Sequence, residues 1–371
     1  MKIGVPKEIK SDEYRVGLTP DAVRELVDHG HYVVVETQCG SGIGFNDKDY
    51  QSSGAKVLPH AKDVFDHAEL IIKVKEPQPK ECKMLTKRHT LFTFLHLAAD
   101  KQQAELLMAS QCLAIAYETV TDSVGRLPLL SPMSQVAGRF SIQAGAHYLE
   151  KPQGGRGVLL GGVPGVAKGN VLIFGGGVVG RHAAIMAMGK GANVTIVDKN
   201  IDRLAELSDV FNDRINTIFA NNANKDRLLA NADLVVGAVL VPGDSAPKLV
   251  TRDDLSKMKK GSVLVDVAID QGGCFETSKP TTHTQPTYVI DDIVHYCVAN
   301  MPGAVPHTST YALNNVTLPY ILKIANQGTH HALANDPHLL MGLNVCRGEI
   351  THPGVAKALG YEYVNPEQLL V

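Results

Sequence analysis

A chain of 371 residues that is 44% apolar and 20% charged, with a formal net charge of −2, is too long for one ordinary core and too apolar to be disordered. Its even charge balance carries no field that asks for nucleic acid or an anionic membrane, so small-molecule chemistry is the expectation. The six cysteines are scattered without a CxxC pair or zinc-ligand spacing, no apolar leader opens the chain, and no apolar run approaches the ~18 residues of a membrane span, which predicts reduced thiols in a cytoplasmic protein.

In chain order, residues 3–5 form a short strand candidate, followed by a polar loop that contains Arg15. Thr19 and Pro20 then mark a helix start, Ala22, Val23, Leu26 and Val27 give it an apolar stripe, and Gly30 ends it. A strand over 32–36 and a helix over 47–54 come next. The apolar runs 70–74 and 91–95 read as strands, each closed by a polar residue of chemical interest, Lys75 and His96. Open α/β sheets place ligands at such strand ends. Lys73 is expected as the in-strand neighbour of Lys75 on the same face, since strand side chains alternate with period two. Ser131–Pro132 opens a long helix reaching about residue 150, and the glycine- and proline-rich stretch after it is an irregular connection.

Residues 171–198, VLIFGGGVVGRHAAIMAMGKGANVTIVD, read as strand, glycine turn, helix and strand. Gly175, Gly177 and Gly180 complete the GxGxxG spacing, in which one glycine makes the turn, one lets backbone approach a pyrophosphate and one seats the helix on the sheet. Val178 opens that helix, whose free N–H groups favour an anion. Asp198, eighteen residues past Gly180, suits a ribose 2′-hydroxyl and disfavours a 2′-phosphate, which selects NAD. Lys199 and Arg203 nearby could soften that repulsion, and Arg203 is a candidate for the adenosine ribose side, or else a helix-surface charge.

Beyond Asp198 the alternation continues, with helices over 203–211 and 225–230 and strands over 216–219, 234–241, 263–268 and 288–290, which implies a parallel, doubly wound sheet. After a break at 301–306, residues 308–326 form a helix despite Pro319, residues 329–343 a further helix, and 352–371 a polar tail. The expected fold is α/β, two doubly wound Rossmann-like domains with a cleft between them. The NAD domain, 131–305, is inserted into a substrate domain made of 1–130 and 306–371.

Taken together, MKIGVPKEIKSDEYRVGLTP, KVKEP, FTFLHLAAD, GGGVVG and VLVDVAIDQGGCFET resemble the bacterial L-alanine dehydrogenase family, from the first residue to about Asn365. The related N-terminal subunit of proton-translocating transhydrogenase shares some of these motifs, but AVLVPG and AIDQGG look like the dehydrogenase form. The resemblance implies reversible NAD-dependent oxidative deamination of L-alanine to pyruvate and ammonium by a homo-hexamer. It gives Arg15 the substrate carboxylate, which a guanidinium can bind bidentately, Lys75 the carbonyl oxygen, and His96 the proton transfers. Asp270 would activate the attacking water, and partial burial there would raise its pKa. Ser134, Val239, Leu240, Val298, Asn300 and Met301 would join the glycine loop around the cofactor. By residue type alone, Arg15 reads as an exposed loop arginine on a salt bridge, Lys75 as a solvated charge, and Asp270 as a turn residue before Gly272.

Two other readings stay open at this point: a transhydrogenase-type subunit and a non-catalytic NAD-binding protein. The presence of Arg15, Lys75, His96 and Asp270 together speaks against the latter. No metal is expected. GVPGVAKGN lacks the GK[ST] of a phosphate loop, and His330, His331, His338 and Asp336 lack ligand spacing.

Overall fold

The computed structural model describes residues 1–239 and 246–370. In chain order its strands are β1 (Lys2–Val5), β2 (Tyr32–Glu36), β3 (Lys56–Leu58), β4 (Leu70–Ile72), β5 (Thr90–Thr93), β6 (Leu113–Ala116), β7 (Asn170–Phe174), β8 (Asn193–Asp198), β9 (Asn216–Phe219), β10 (Leu234–Gly237), β11 (Val263–Asp266), β12 (Thr287–Ile290), β13 (Ile293–Tyr296), β14 (Leu343–Cys346) and β15 (Glu349–Ile350). The chain divides into two compact units, one of Met1–Met133 with Val305–Val371 and one of Ser134–Ala304.

In the first unit the sheet runs β15-β14-β6-β5-β4-β1-β2-β3. β1 to β6 are parallel, in the doubly wound order 3-2-1-4-5-6, and β14 and β15 add an antiparallel edge. Leu70, Ile71 and Ile72 are fully buried, as helices on both faces of a parallel sheet require. The first long helix, Pro20–Asp28, starts as its sequence dictates: Thr19 Oγ1 accepts from Ala22 N, proline occupies the first turn, and Ala22, Val23 and Leu26 are buried.

The second unit repeats the plan. Its sheet runs β12-β13-β11-β10-β7-β8-β9, parallel from β9 to β13 in the same 3-2-1-4-5-6 order, with β12 antiparallel at the edge. β12 and β13 are joined by Asp291 and Asp292, both at positive φ, and Ile290 pairs with Ile293. This is the two-residue hairpin turn whose twist suits the strands.

Several expected elements differ. The run 70–74 ends as a strand at Ile72, so Lys73 and Lys75 do not share a strand face. Residues 329–343 are two short helices, Thr329–Ala334 and Pro337–Leu340, followed by the start of β14. The break is at Asp336, whose Oδ1 accepts from the amides of His338 at 2.9 Å and Leu339 at 3.0 Å, and Pro337 opens the new turn. The tail carries a helix, Pro353–Leu359, capped by His352. Pro319, in contrast, lies within one continuous helix, Pro306–Gln327.

Candidate functional site

In the second unit the glycine loop lies between the carboxyl ends of β7 and β10, where the strand order reverses and open α/β sheets bind ligands. Gly175 has φ +100, and a Cβ there would press on the Ala238 carbonyl and on Val239. A Cβ on Gly180 would strike the Gly175 carbonyl, so only glycine lets the helix Val178–Gly189 approach the strand. That helix begins at Gly177 without a side-chain cap, and a Cβ on Gly177 would meet only open space. Uncapped amides facing an open cradle suit a pyrophosphate.

Asp198, at the end of β8, holds the loop directly: Oδ2 accepts from Gly176 N at 2.6 Å and Oδ1 from Asn200 N at 2.9 Å. Arg203 also turns back onto the loop, Nε donating to the Gly176 carbonyl at 2.6 Å, and pairs with Glu206. This gives the arginine a clear loop-bracing task, whatever it offers a ribose. Val178 is 41% exposed, while Val298 and Met301 are buried. Asn300 is held in the left-handed region, φ 60, and its carbonyl lies 3.2 Å from His283 Nε2. Ser134 is half-buried in the helix Ser131–Tyr148. Leu240 lies outside the described residues.

Asp270 occupies a single 3-10 turn, Ile269–Gln271, and is exposed, not partly buried as expected. Its loop is fastened from two sides. The Asp266 carboxylate, fully buried, accepts from the amides of Ala268, Cys274 and Phe275 and from the Ser278 hydroxyl. Lys248 Nζ donates to the carbonyls of Gly272 at 2.6 Å and Gly273 at 2.7 Å. Burial pushes the Asp266 carboxyl up, and pushes the Cys274 thiol well above its ordinary range, so that thiol is not a reactive one.

In the first unit the polar groups collect at the carboxyl edge of β1, β4, β5 and β6. Arg15 is 2% exposed, and its guanidinium grips Glu13, Nε to Oε1 at 2.7 Å and Nη2 to Oε2 at 2.5 Å, with Nη1 against Met133 Sδ at 3.2 Å. The salt bridge expected from residue type is therefore present, but the exposure expected with it is not: both partners are buried. Lys73 is enclosed between Glu8 Oε2 at 2.9 Å and Glu81 Oε1 at 2.8 Å. Glu8 Oε1 also accepts from Val74 N at 2.7 Å. Burial lowers the Lys73 pKa, but the two carboxylates outweigh it and hold the ammonium above its ordinary value. Lys75, 8% exposed, follows at once, its carbonyl accepting from Thr93 Oγ1 at 2.9 Å.

His96 sits three residues past β5 in the left-handed region, φ 52 and ψ 35, with its ring stacked on Phe94 at 5.8 Å. Its side chain is 44% exposed, and Nδ1 lies 3.9 Å from Glu118 Oε1. The same carboxylate accepts from His96 N at 2.6 Å and from Leu95 N at 3.2 Å. Sequence reasoning missed Glu118, Glu13, Lys248 and Asp266. Glu118 follows β6, a short apolar strand whose recognition would have pointed to it.

Among the described residues no group of three or more His, Cys, Asp or Glu is arranged to hold a metal, and no helix is long and apolar enough to cross a membrane. The family model described as alanine dehydrogenase/PNT, N-terminal domain, matches residues 4–137, and its C-terminal counterpart matches 141–353. The chain is 57% identical over 370 residues to an alanine dehydrogenase of Halomonas elongata, covering 100% of each chain. It is 55% identical to an alanine dehydrogenase of Bacillus subtilis, covering 100% of this chain and 98% of that one. Among solved structures, an L-alanine dehydrogenase superposes with a TM-score of 0.94 at 55% identity, covering 97% of this chain and 99% of the other. A transhydrogenase from Sinorhizobium meliloti gives 0.81 at 22% identity, covering 95% and 99%, a likeness of fold.

Proposed function

The chain belongs to the alanine dehydrogenase/PNT family, and from that premise we propose that it is an NAD-dependent alanine dehydrogenase, interconverting L-alanine with pyruvate and ammonium. The observation that carries the reading is the carboxyl edge of the first sheet, where a buried arginine, a lysine and an imidazole follow β1, β4 and β5. Those are the groups needed to hold a carboxylate, polarise a carbonyl and move a proton.

The glycine cradle fits NAD: Gly175, Gly177, Val178 and Gly180 would hold the pyrophosphate and Asp198 the ribose, with Ser134, Val239, Leu240, Val298, Asn300 and Met301 as further contacts. Bound there, the nicotinamide supplies the hydride exchange with the substrate's Cα. Arg15 takes the substrate carboxylate, and Glu13 fixes the guanidinium plane. Lys75 directs its ammonium at the oxygen of pyruvate. His96 takes a proton in deamination and returns it in amination, and Asp270 orients the water that adds to the imine.

The assay that tests this is NADH oxidation with pyruvate, without and then with ammonium. Oxidation is expected only with ammonium; a rate indifferent to ammonium in a folded sample removes the reading. Asp198→Ala is expected to raise KM for NAD and narrow the preference over NADP, since it removes a carboxylate that repels a 2′-phosphate and also releases Gly176 N. An unchanged ratio would take Asp198 out of the ribose site. A homo-hexamer in the cytoplasm completes the proposal, consistent with cysteines that are all free thiols, and sedimentation of the purified protein tests the assembly.

A further inference from the structure

We infer that Glu118 is a positioning residue for His96, fixing the turn that presents the imidazole and setting the charge beside it. The inference rests on the assignment of proton transfer to His96. A histidine at φ 52 is strained, and such a conformation persists only where its surroundings impose it. Here the Glu118 carboxylate braces it, gathering the consecutive amides of Leu95 and His96, while the His96 carbonyl accepts from Ala99 N at 3.1 Å. Charge-assisted hydrogen bonds of this kind are about twice as strong as neutral ones, so a side chain from beyond β6 helps hold the chain after β5 in its bent course.

The second half of the role is electrostatic. At 3.9 Å from Nδ1, Oε1 is too far for a hydrogen bond but close enough for charge to act. The carboxylate favours the imidazolium and so raises the basicity with which His96 accepts a proton. The other titratable or charged groups on the elements around this turn are few. The helix Pro353–Leu359, packed on residues 97–99, brings Lys357 and its cap His352. The helix Lys101–Ser110 brings its cap Asp100, with Lys101 and Glu105, and Lys75 ends the neighbouring strand connection. Of these, His352 is half-buried, Glu118 acts on it too, and its Nδ1 accepts from Val355 N at 3.3 Å. Burial lowers its pKa and outweighs the opposing pull of Glu118, which disfavours a second imidazolium beside that carboxylate.

Glu118→Gln separates the two halves, because the amide oxygen still accepts from both backbone amides while the charge is gone. In alanine oxidation the expected result is a roughly tenfold loss in kcat, with the acidic limb of kcat/KM moving to lower pH by about one unit. The sign follows from the charge: without the carboxylate the imidazole loses its proton more readily, so the basic form survives to lower pH. Glu118→Asp restores the charge and is expected to return the limb most of the way. If Glu118→Gln folds with its pH profile unmoved, Glu118 only holds the turn and the inference is overturned, whatever happens to kcat. If His96→Ala itself leaves turnover intact, the assignment underneath fails instead, and the two outcomes are read from separate proteins.

Discussion

His96→Ala is expected to cut kcat for alanine oxidation by roughly 10³, within the 10² to 10⁴ that general acid–base catalysis contributes, while NADH still binds. At about 1.4 kcal/mol for each factor of ten, that is roughly 4 kcal/mol withdrawn from the transition state. The fold has little stake in this side chain: it is 44% exposed and rests on Phe94 by one face, so the melting temperature should hardly move. The glycine cradle belongs to the other compact unit and is built from its own backbone, so cofactor affinity should persist in a fluorescence titration. An equal loss of NADH affinity would mean that His96 has been given the wrong task.

Lys73→Met is expected to be the most damaging single substitution for stability. Lys73 is fully enclosed with Glu8 and Glu81, whose side chains are 2% exposed. Removing the cation leaves two carboxylates facing each other in the interior, which costs about 3 to 5 kcal/mol when a buried pair is broken. Because the Lys73 pKa is raised on folding, its contribution is fully present below the unfolded value of about 10.4 and is lost only as pH rises through the folded one. Neutral pH is therefore the place to measure it, by urea denaturation. The deficit should shrink toward acidic pH, where Glu8, whose carboxyl burial pushes above its ordinary value, takes up a proton. A variant with wild-type stability at pH 7 would show that the triad is dispensable. Activity should fall as well, since Glu8 also holds Val74 N, one residue before Lys75.

Much of the second sheet was legible because β7, β8 and the helix between them announce themselves in one unbroken stretch, with glycines where only glycine fits. β4 and β5 were legible as apolar runs, and with them the placement of Lys75 and His96 just past strand ends. β6, β13, β14 and β15 were not. Leu113–Ala116 has four apolar residues and no alternation, and periodicity cannot tell such a segment from buried helix. Ile293–Tyr296 hides behind two aspartates in a turn that usually advertises itself with glycine. Among functional groups, the sequence pointed to residues by type and position after a strand. Glu13, Glu118, Lys248 and Asp266 escaped because their tasks are defined by what they touch. A carboxylate that grips a guanidinium or two amides has no spacing of its own.

The antiparallel edge of the first sheet has a consequence for how the protein is made. β14 pairs with β6 although Leu343 and Ile115 are separated by the whole of the second unit. Thr329 Oγ1 meets Thr90 Oγ1, and Asn314 bonds the backbone at Gly17 and Thr19. On a ribosome, β1 to β6 emerge first but must wait, their sheet open at β6, while residues 134–304 are synthesised and can close on their own contacts. Pairings across so long a chain separation form late. The first unit to begin is thus the last to finish, and in the interval the exposed edge of β6 is where a chaperone, or another nascent chain, would find a strand to pair with.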